Sequence, residues 1–408
     1  MTTTEQTLPK VAIRPVLKGN IARAAHPYGC EAAIKEQIAY VKENGKFEGP
    51  KKALILGASS SYGLASRISL AFGADADTIG VSFERGITSP EQTGTAGWWN
   101  NIFFRQEAEK AELTAKNFIG DAFSKKMKDE VIQYIKNEFG GKIDILVYSL
   151  ASPKRIDPKT GDVYSSCIKS IGDEVKDYSI NLEKQEIFEQ VVEPATEQEI
   201  ADTVKVMGGE DWELWVNELM EAGVLAEGFK TVLYSYLGPE ITRPFYSGGT
   251  LGRAKEHAAE TSNRMDKVLK EKLGGESVIC VSKAVTTKAS AVIPILPVYA
   301  SALYKVMIEN GVHETPIMHK HRFFMDMLYG SKREYDEKGY LRPDSWELRE
   351  DIQAKVKEIV DQVTPENFRD LTAVNIFTKE FLQLNGFEIA GVDYEAEVDL
   401  EELRVLLP

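Results

Sequence analysis

An α/β fold built on a doubly wound parallel sheet of the Rossmann type is predicted by two patterns in the sequence. Apolar segments of strand length alternate with longer segments of helical periodicity, which is typical of a parallel sheet with helices on both faces. The first strand also runs directly into a turn of glycine and serine that opens a helix, as Rossmann-type units do. With 408 residues, the chain is long enough for a large core with added segments.

The individual core elements follow from these patterns. Short apolar runs bounded by turn residues predict strands at 53–56, 78–82, 115–119, 143–148, 231–236 and 277–281. Longer periodic segments predict helices at about 62–72, 101–112, 124–139, 252–273 and 289–310. Residues 51–151 and 230–310 should therefore form the Rossmann core.

Polar segments interrupt and extend this core. Residues 152–229 contain the hairpin-like run PKTGDVYS and two charged, helical stretches. A segment of this length between two core strands is usually a functional insertion. Residues 311–408 are predicted to form a C-terminal helical extension, which is charged from about residue 343 onward. We expect residues 1–408 to fold as a single large unit.

Composition excludes several function classes. The net charge of −14 argues against a nucleic-acid-binding protein, because phosphate neutralisation needs clustered Lys and Arg. No apolar run reaches the ~18 residues of a membrane span, and the first ten residues lack the apolar core of a signal peptide. The three cysteines are far apart, which favours small buried side chains in a reducing compartment. We expect a cytoplasmic protein without a membrane span.

The strongest local signal is the run ALILGASSSYGLASR at residues 53–67. Gly57 permits a tight turn after the strand, and the run Ser59–Ser61 offers hydroxyl and backbone N–H groups. Gly63 lets the backbone approach a pyrophosphate at the helix N-terminus, where the helix dipole favours negative charge. The spacing differs from GxGxxG. Taken alone, a glycine turn after a strand is only a tight turn about as often as it is a cofactor site.

Polar or small residues at three further strand ends support a dinucleotide site. Glu84, after Phe83, lies about 20 residues beyond the turn, where an acid binds the adenosine ribose and repels the 2′-phosphate of NADPH. This predicts NADH, although the adjacent Arg85 could meet a phosphate. Strand ends also precede the pairs Asp121–Ala122 and Leu150–Ala151, and ligands of open α/β sheets bind at such ends.

A Tyr–Lys pair is the expected catalytic element of a reductase with this fold. The tyrosine donates a hydrogen bond or a proton to the substrate oxygen that gains negative charge. The lysine binds the nicotinamide ribose and, through its charge, favours ionisation of the tyrosine. No tyrosine has Lys four residues on, so the usual short-chain spacing is absent. Tyr246 and Lys255 flank a glycine-rich linker after the strand at 231–236 and are the better candidates. The pair Tyr329 and Lys338 has the same spacing in a charged loop, so spacing alone is weak.

No metal site is predicted. His313 and Glu314 open like HExxH, but no second histidine follows at the required position. His319 and His321 form a His-x-His pair without a nearby Cys or Asp. We interpret the run 319–322 as surface residues or as basic groups near an anionic ligand such as the phosphates of coenzyme A.

The sequence resembles the trans-2-enoyl-CoA reductases and the similar FabV-type enoyl-ACP reductases over nearly the whole chain. The matching runs are HPYGC (26–30), GASSSYGLASR (57–67), IGVSFE (79–84), GTAGWWNN (94–101), GDAFS (120–124), VYSLASP (147–153), KVMGGEDW (205–212), YSYLGPE (234–240), the Tyr246/Lys255 pair, TTKASAVIP (286–294) and LNGFEIAGVDY (384–394). One mild difference is Ser61, where the family usually has glycine.

This resemblance implies a short-chain-reductase-like Rossmann fold that reduces trans-2-enoyl thioesters with NADH in fatty-acid metabolism. Tyr246 is then the proton donor, Lys255 a cofactor ligand and Tyr236 a substrate contact. The implied NAD contacts are Gly57, Ala58, Ser59, Ser60, Ser61, Tyr62, Phe83, Glu84, Asp121, Ala122, Leu150, Ala151, Val285, Thr286 and Thr287. The N-terminal segment and residues 152–229 would cover the active site.

Other interpretations remain open at this point. The carrier of the enoyl group is either coenzyme A or acyl carrier protein, and a one-piece fold of this size is compatible with the monomer that we expect. A short-chain carbonyl reductase is disfavoured by the missing Tyr-x3-Lys motif, and a non-catalytic NADH-binding protein is disfavoured by the Tyr246/Lys255 pair.

Overall fold

A six-stranded parallel sheet forms the centre of the computed structural model, which describes residues 8–408. Its strands are β1 (Lys52–Leu56), β2 (Asp77–Ser82), β3 (Ala115–Ile119), β4 (Ile143–Tyr148), β5 (Leu225–Ser235) and β6 (Glu276–Val281). The strand order is 3-2-1-4-5-6, and every neighbouring pair is parallel. This is the order of a doubly wound dinucleotide-binding sheet, so the predicted fold class is confirmed.

Helices cover both faces of the sheet and extend beyond it. They are α1 (Pro27–Asn44), α2 (Ser61–Ala74), α3 (Ala96–Lys110), α4 (Lys125–Asn137), α5 (Glu197–Met207), α6 (Glu210–Glu221), α7 (Thr250–Leu273), α8 (Leu296–Glu309), α9 (Pro316–Arg322), α10 (Glu350–Val360), α11 (Phe368–Leu371), α12 (Val374–Gln383) and α13 (Leu400–Arg404). Short 3-10 turns lie at Glu240–Thr242, Ser290–Val292 and Pro343–Trp346, and α9 continues into a π-helical turn at Phe323–Leu328.

The sheet separates two apolar cores. Leu54 and Leu56 of β1 face a cluster that contains residues of α4, α6 and α7. Ala53 and Ile55 point the other way, into a cluster with Leu70 of α2 and the π-helical turn. Because both faces are buried, the strands read as continuous apolar runs rather than as alternating ones.

The element ends follow local chemistry. Ser124 caps α4 by accepting a hydrogen bond from the Met127 N–H at 3.1 Å. Thr196 and Glu199 form a reciprocal capping box at the start of α5. After α7, Gly274 has φ 61°, a left-handed conformation that glycine adopts without steric cost.

The insertion contains two hairpins followed by two helices. Lys154–Ile156 pairs with Val163–Ser165 around the predicted PKTG turn, so that hairpin is confirmed. The longer hairpin of Val175–Asn181 with Glu186–Val192 was not anticipated. The two charged stretches are helical, as predicted, and form α5 and α6.

Small antiparallel pairs complete the strand inventory of the described chain. They are Lys10–Val11 with Val398–Asp399, Leu17–Lys18 with Ile21–Ala22, and Ile87–Ser89 with Gln92–Thr93. The HPYGC and LNGFE runs also meet, since the His26 N–H donates to the Asn385 carbonyl at 2.9 Å. A Cβ on Gly29 would overlap the Gly386 carbonyl, so the two ends of the chain require glycine where they touch.

Three predicted elements have different bounds in the structure. The helix predicted at 101–112 begins five residues earlier, as α3 starts at Ala96. The helix predicted at 289–310 is wrong in its first part, because α8 begins only at Leu296. Pro294 and Pro297 flank Ile295, which has φ 67°, and neither proline can donate an intrahelical hydrogen bond. Strand β5 begins at Leu225, six residues before the predicted start, with a register shift between Leu225 and Lys230.

The C-terminal extension is helical only in part. Helices α9 to α13 lie within it, but residues 384–397 form turns and irregular backbone. Among residues 8–408, no helix is both long and apolar enough to cross a membrane.

A buried ion pair attaches the insertion to the sheet. Lys128 of α4 donates to Asp211 of α6 at 2.8 Å, and the Tyr148 hydroxyl donates to the same carboxylate at 3.1 Å. Both charged side chains are almost completely buried, at 0% and 1% exposure. Burial raises the pKa of Asp211, and the nearby Lys128 opposes that increase.

We expect Asp211→Ala to lower the free energy of unfolding by about 3–5 kcal/mol, because it leaves the Lys128 ammonium buried without a counter-charge. Chemical denaturation measures this change. The matched control is Asp129→Ala, which removes a half-exposed partner of Lys125 and should cost less than about 1 kcal/mol. Equal effects of the two substitutions would contradict the assignment of Asp211 as a buried anchor.

Candidate active site

The turn after β1 lies at the centre of the sheet, between β2 and β4. Gly57 has φ 82°, and a Cβ there would overlap the Ser149 carbonyl at the end of β4. A Cβ on Gly63 would overlap the Gly57 carbonyl where α2 begins. The Gly57 N–H donates to the Val81 carbonyl of β2 at 2.8 Å. Only glycine lets the chain pass this close, and the open helix N-terminus fits a pyrophosphate.

Three contacts connect this turn to neighbouring elements. The Ser59 hydroxyl donates to Glu84 at the end of β2 at 2.6 Å. The Asn100 side chain of α3 donates to the Ser59 carbonyl at 2.9 Å. On the other side, the Tyr62 hydroxyl donates to the Lys283 carbonyl beyond β6 at 2.7 Å. The structure therefore brings the turn, Glu84 and the segment after β6 to one edge of the sheet.

Ser61 occupies a backbone conformation that favours glycine. Its φ is 51°, in the left-handed region, whereas the preceding Ser60 is extended with φ −156°. A residue with a Cβ in this region costs about 1–2 kcal/mol. The difference from the usual family sequence at this position is therefore a source of local backbone strain.

The other predicted strand-end residues lie at the same edge but differ in exposure. Leu150 approaches Gly57, with Leu150 Cδ2 3.4 Å from the position of a Gly57 Cβ. Asp121 is half-buried, and its carboxylate accepts from the Phe123 N–H at 2.9 Å, while Ala122 is buried. Ala151 is exposed, and Phe83 is 77% exposed beside Glu84. An exposed aromatic ring at this strand end is available to stack on a ligand.

The segment Val285–Thr287 is buried after β6. The Thr286 hydroxyl contacts Glu380 of α12 at 2.6 Å and the Tyr304 hydroxyl of α8 at 2.8 Å. Thr286 also shares a cavity of about 250 Å³ with Ser60 and Ser61 of the turn. Further walls of this cavity come from α1, α12 and the start of α9. The cavity thus joins two predicted cofactor segments that are far apart in sequence.

The glycine-rich linker brings Tyr246 back to the start of α7. The Tyr246 carbonyl accepts from the Gly249 N–H at 3.0 Å and from the Gly252 N–H at 3.1 Å. A Cβ on Gly252 would overlap the Ser247 carbonyl, so this close turn needs glycine. Lys255 follows within the second turn of the same helix, and its ammonium donates to the Tyr234 carbonyl of β5 at 2.9 Å.

Burial changes the acid–base properties of this pair. Loss of solvation lowers the pKa of Lys255 to about 8, because burial disfavours the ammonium. Burial also raises the pKa of Tyr246 well above its usual value. Tyr246 is 8% exposed, and its hydroxyl has no hydrogen-bond partner among residues 8–408. It is therefore a neutral donor that is free to serve a ligand.

Tyr236 lies against Tyr246 but has a different environment. The two rings meet edge to face with their centroids 4.8 Å apart. The Tyr236 hydroxyl donates to the fully buried Glu347 at 2.9 Å, and the Tyr299 hydroxyl donates to the same oxygen at 2.7 Å. Sequence reasoning missed Glu347, since a single glutamate in a charged tail carries no pattern that indicates burial.

Apolar side chains surround the two tyrosines. The cluster that contains Tyr246 draws on the segment before α8, on α8 itself and on the longer hairpin of the insertion, including Ile180, Ile187, Ile293 and Tyr299. An enclosed apolar site strengthens hydrogen bonds to a developing negative charge. This arrangement suits a ligand with a polar carbonyl and an apolar chain.

The expectation that residues 319–322 lie at the surface is wrong for His319, Lys320 and His321, whereas a contact of this run with an anionic ligand stays a prediction. His319, Lys320 and His321 are 0%, 0% and 1% exposed, because α9 packs against α2. His319 and Arg322 contact the buried Glu314, and burial lowers the pKa of His319 to about 3. No group of three potential metal ligands occurs in the part of the chain that the structure describes.

Lys320 is a further buried group that the sequence did not reveal. Its ammonium donates to the Ser282 hydroxyl at 2.6 Å and lies 3.7 Å and 4.1 Å from the ring centroids of Tyr234 and Tyr62. Burial lowers its pKa to about 8. Neither Lys320 nor Glu380 belongs to a sequence motif. Only the folded structure shows that Lys320 contacts Tyr62 of the turn and that Glu380 binds the Thr286 hydroxyl.

The Rossmann sheet and the buried tyrosine–lysine pair define an oxidoreductase of the NAD(P)H-dependent class. Family models narrow this class. Residues 12–89 match the NAD(P)H binding domain of trans-2-enoyl-CoA reductase, and residues 92–329 match the trans-2-enoyl-CoA reductase catalytic region. The chain belongs to the trans-2-enoyl-CoA reductase family.

Individual relatives agree with this assignment. A trans-2-enoyl-CoA reductase [NADH] of Clostridium beijerinckii is 52% identical over 397 residues, covering 97% of this chain and 99% of that protein. An enoyl-[acyl-carrier-protein] reductase [NADH] 2 of Photobacterium profundum is 51% identical, with 97% and 99% coverage. The crystal structure of Clostridium acetobutylicum trans-2-enoyl-CoA reductase in complex with NADH superimposes with a TM-score of 0.95 at 47% identity, covering 98% of this chain and 100% of that one.

Residues 335–398 match a model described as an enoyl reductase FAD binding domain. In this chain the segment forms helices whose inner residues, such as Ile352 and Phe377, pack against α8. Within 335–398 there is no strand–turn–helix unit to receive a dinucleotide pyrophosphate. The carboxylates of the buried Glu347 and the partly buried Glu380 already accept hydrogen bonds from neighbouring hydroxyl groups. These residues do not fit a flavin site.

We expect Ser61→Gly to raise the free energy of unfolding by about 1 kcal/mol, because glycine adopts φ 51° without strain. Thermal unfolding measures the change. Ser60→Gly is the matched control, since Ser60 is already extended and glycine there only adds freedom to the unfolded chain. A loss of stability in Ser61→Gly as large as that in Ser60→Gly would show that Ser61 is not strained.

Proposed function

We propose that this protein reduces the carbon–carbon double bond of trans-2-enoyl thioesters with NADH, producing the saturated acyl thioester of fatty-acid metabolism. The observation that carries the proposal is the contact of the buried Tyr246 with the partly buried Tyr236 after β5, with Lys255 on the adjoining helix. Family membership supports it, because the relatives are named NADH-dependent reductases of enoyl-CoA or of enoyl-[acyl-carrier-protein].

The cofactor would lie across the carboxyl ends of the strands. Its pyrophosphate fits the turn Gly57–Tyr62, where glycines keep the backbone close and the start of α2 favours negative charge. Glu84 and Phe83 would meet the adenosine, and Asp121–Ala122 the adenine edge. Leu150–Ala151 and Val285–Thr287 would border the nicotinamide riboside. When bound, NADH supplies the hydride for the β-carbon of the substrate.

Residues of the protein would then stabilise the negative charge that develops on the thioester oxygen. The free, neutral hydroxyl of Tyr246 can donate to this oxygen and supply the proton that the α-carbon takes up to complete saturation, with Tyr236 as a second contact. Lys255 would bind the nicotinamide ribose, and its charge would favour tyrosine ionisation. The apolar cluster excludes water and accommodates the acyl chain.

The same arrangement suggests how the added segments contribute. The hairpin Val175–Asn181 and Glu186–Val192 places Ile180 and Ile187 in the cluster with Tyr246, which supports a covering role for the insertion. The sheet, the insertion and the C-terminal helices share apolar cores, so we propose a single folding unit. The carrier is coenzyme A or acyl carrier protein, and we propose a monomer.

The reaction is tested by measuring the loss of NADH absorbance in the presence of crotonyl-CoA. We expect Tyr246→Phe to lower kcat by about 10²–10⁴-fold, because it removes the donor to the developing oxyanion. Tyr329→Phe is the matched control, since Tyr329 is a partly buried tyrosine with the same spacing to a lysine and no hydrogen bond. Near-normal turnover of Tyr246→Phe would remove Tyr246 from the mechanism.

Cofactor preference tests the role of Glu84. Glu84→Gln removes the charge but keeps the acceptor for Ser59, so we expect NADPH use to rise about tenfold relative to NADH, equivalent to about 1.4 kcal/mol of repulsion. The ratio of kcat/KM values for the two cofactors measures the effect. Glu91→Gln, an exposed site nearby, should leave the ratio unchanged. An unchanged ratio in Glu84→Gln would contradict this role.

A further inference from the structure

Glu347 is enclosed beside the active-site tyrosines, in a segment that the sequence placed in a charged tail. Its side chain has 0% exposure. One carboxylate oxygen accepts from the hydroxyls of Tyr236 and Tyr299, at 2.9 Å and 2.7 Å. The other oxygen accepts from the Ala284 N–H at 2.6 Å. Glu347 thus contacts groups from the end of β5, the end of β6 and α8.

The hydrogen-bond geometry creates a conflict for Tyr236. A phenol has only one O–H to donate, and in this structure that O–H points to Glu347. A thioester oxygen is an acceptor only, so it needs a donated hydrogen bond. Tyr236 can therefore serve the substrate only if its proton is turned away from Glu347.

A neutral Glu347 resolves this conflict. The protonated carboxyl group has an O–H of its own, which can donate to the Tyr236 oxygen and leave the Tyr236 proton for the substrate. The second carboxyl oxygen can still accept from the Ala284 N–H. The exchange needs only rotation of O–H groups and no movement of heavy atoms.

The surroundings of Glu347 contain groups that favour each protonation state. Burial raises the pKa of Glu347, whereas hydrogen bonds from Tyr299, Ala284 and Tyr236 and the charge of Lys283 oppose that increase. The Lys283 ammonium is itself buried, and burial lowers its pKa. Gln353 of α10 donates to the Glu347 carbonyl at 2.7 Å, and the Arg322 guanidinium lies 4.0 Å from the ring centroid of the adjacent Trp346. Lys283 is the cationic group whose charge acts on Glu347, and it also interacts with Glu314 and Glu380. Tyr62 and Tyr304 are further titratable groups that interact with Glu347.

We propose that Glu347 is a positioning residue that, in its neutral form, donates to the Tyr236 oxygen and turns the Tyr236 hydroxyl toward the thioester oxygen of the substrate. This inference rests on the proposed function. It assigns to the C-terminal extension a direct part in substrate recognition.

Comparison of Glu347→Gln with Glu347→Ala tests the inference. The glutamine amide can donate to Tyr236 while its oxygen accepts from the Ala284 N–H, so it imitates the neutral acid toward these two groups. The Tyr299 hydroxyl, which donates to the same position in Glu347, would then accept from the second amide N–H. We expect Glu347→Ala to lower kcat/KM for crotonyl-CoA by about ten- to a hundredfold and Glu347→Gln to restore most of that loss. Equal activity of both variants and the unsubstituted protein would overturn the inference.

Combination with Tyr236→Phe separates positioning from a general structural effect. In the Tyr236→Phe background, the difference between Glu347→Ala and Glu347→Gln should disappear, because no hydroxyl remains to be oriented. In the Tyr299→Phe background the difference should persist, since the Tyr236 contact is intact. A difference that persists undiminished without the Tyr236 hydroxyl would overturn the inference.

A pH series keeps the test decisive even if Glu347→Ala does not fold. As pH rises and Glu347 loses its proton, KM for crotonyl-CoA in the unsubstituted protein should increase relative to KM in Glu347→Gln, which has no proton to lose. A ratio of the two KM values that stays constant over the whole pH range in which both proteins remain folded would overturn the inference. Because the ratio compares two proteins that both contain Lys255, titration of that lysine cancels.

The two proposals fail in different ways. If the unsubstituted protein does not oxidise NADH with any enoyl thioester, the proposed function is wrong, and the inference about Glu347 falls with it. If the protein turns over but the Glu347 variants behave alike in every background, only the inference is wrong.

Discussion

The close approach of the β1 turn to β4 is the constraint on which the active site depends. Gly57 passes so near the Ser149 carbonyl, and Gly63 so near the Gly57 carbonyl, that no side chain fits at either position. This proximity places the start of α2 at the point where the strand order reverses, between β1 and β4. At such a point the helices diverge to opposite faces and leave a crevice, which is where open α/β sheets bind their ligands.

Buried charges and polar side chains hold the rest of the site around this crevice. Lys128 and Asp211 attach α6 of the insertion to α4, and Glu380 of α12 holds the Thr286 hydroxyl beside the cofactor turn. Each buried ion or carboxylate is costly unless all of its hydrogen bonds are made, so these contacts define one arrangement rather than many. The insertion and the C-terminal helices are therefore fixed to the sheet and to the turn by specific polar contacts.

The two active-site tyrosines differ because of their neighbours. Tyr246 has a free hydroxyl in an apolar pocket, whereas the Tyr236 hydroxyl is engaged by Glu347. In the proposed reaction, the two tyrosines would therefore differ in how readily they donate a hydrogen bond to the thioester oxygen of the substrate. Burial keeps both hydroxyls protonated, while the same burial brings the pKa of Lys255 down to about 8.

The sequence alone was sufficient for the fold class and for the residues next to the strands. Alternating periodicities predicted all six core strands, and the strand ends predicted that the glycine turn and Glu84 lie together, as they do. The roles of Tyr246 and Lys255 stay predictions, since their spacing alone is weak and the structure shows only that both are buried at the start of α7. It also indicated Ser61 as an unusual residue, and the structure supplied the reason in its positive φ.

Contacts between distant segments were decided only by the tertiary structure. Glu347, Glu380 and Lys320 lie in charged or helical stretches that resemble solvated surface, and nothing in their local pattern distinguishes them from exposed neighbours. His319, Lys320 and His321 were wrongly expected at the surface for the same reason. Burial of a charged side chain depends on which other elements pack over it and offer hydrogen bonds, and that information is not local to the residue.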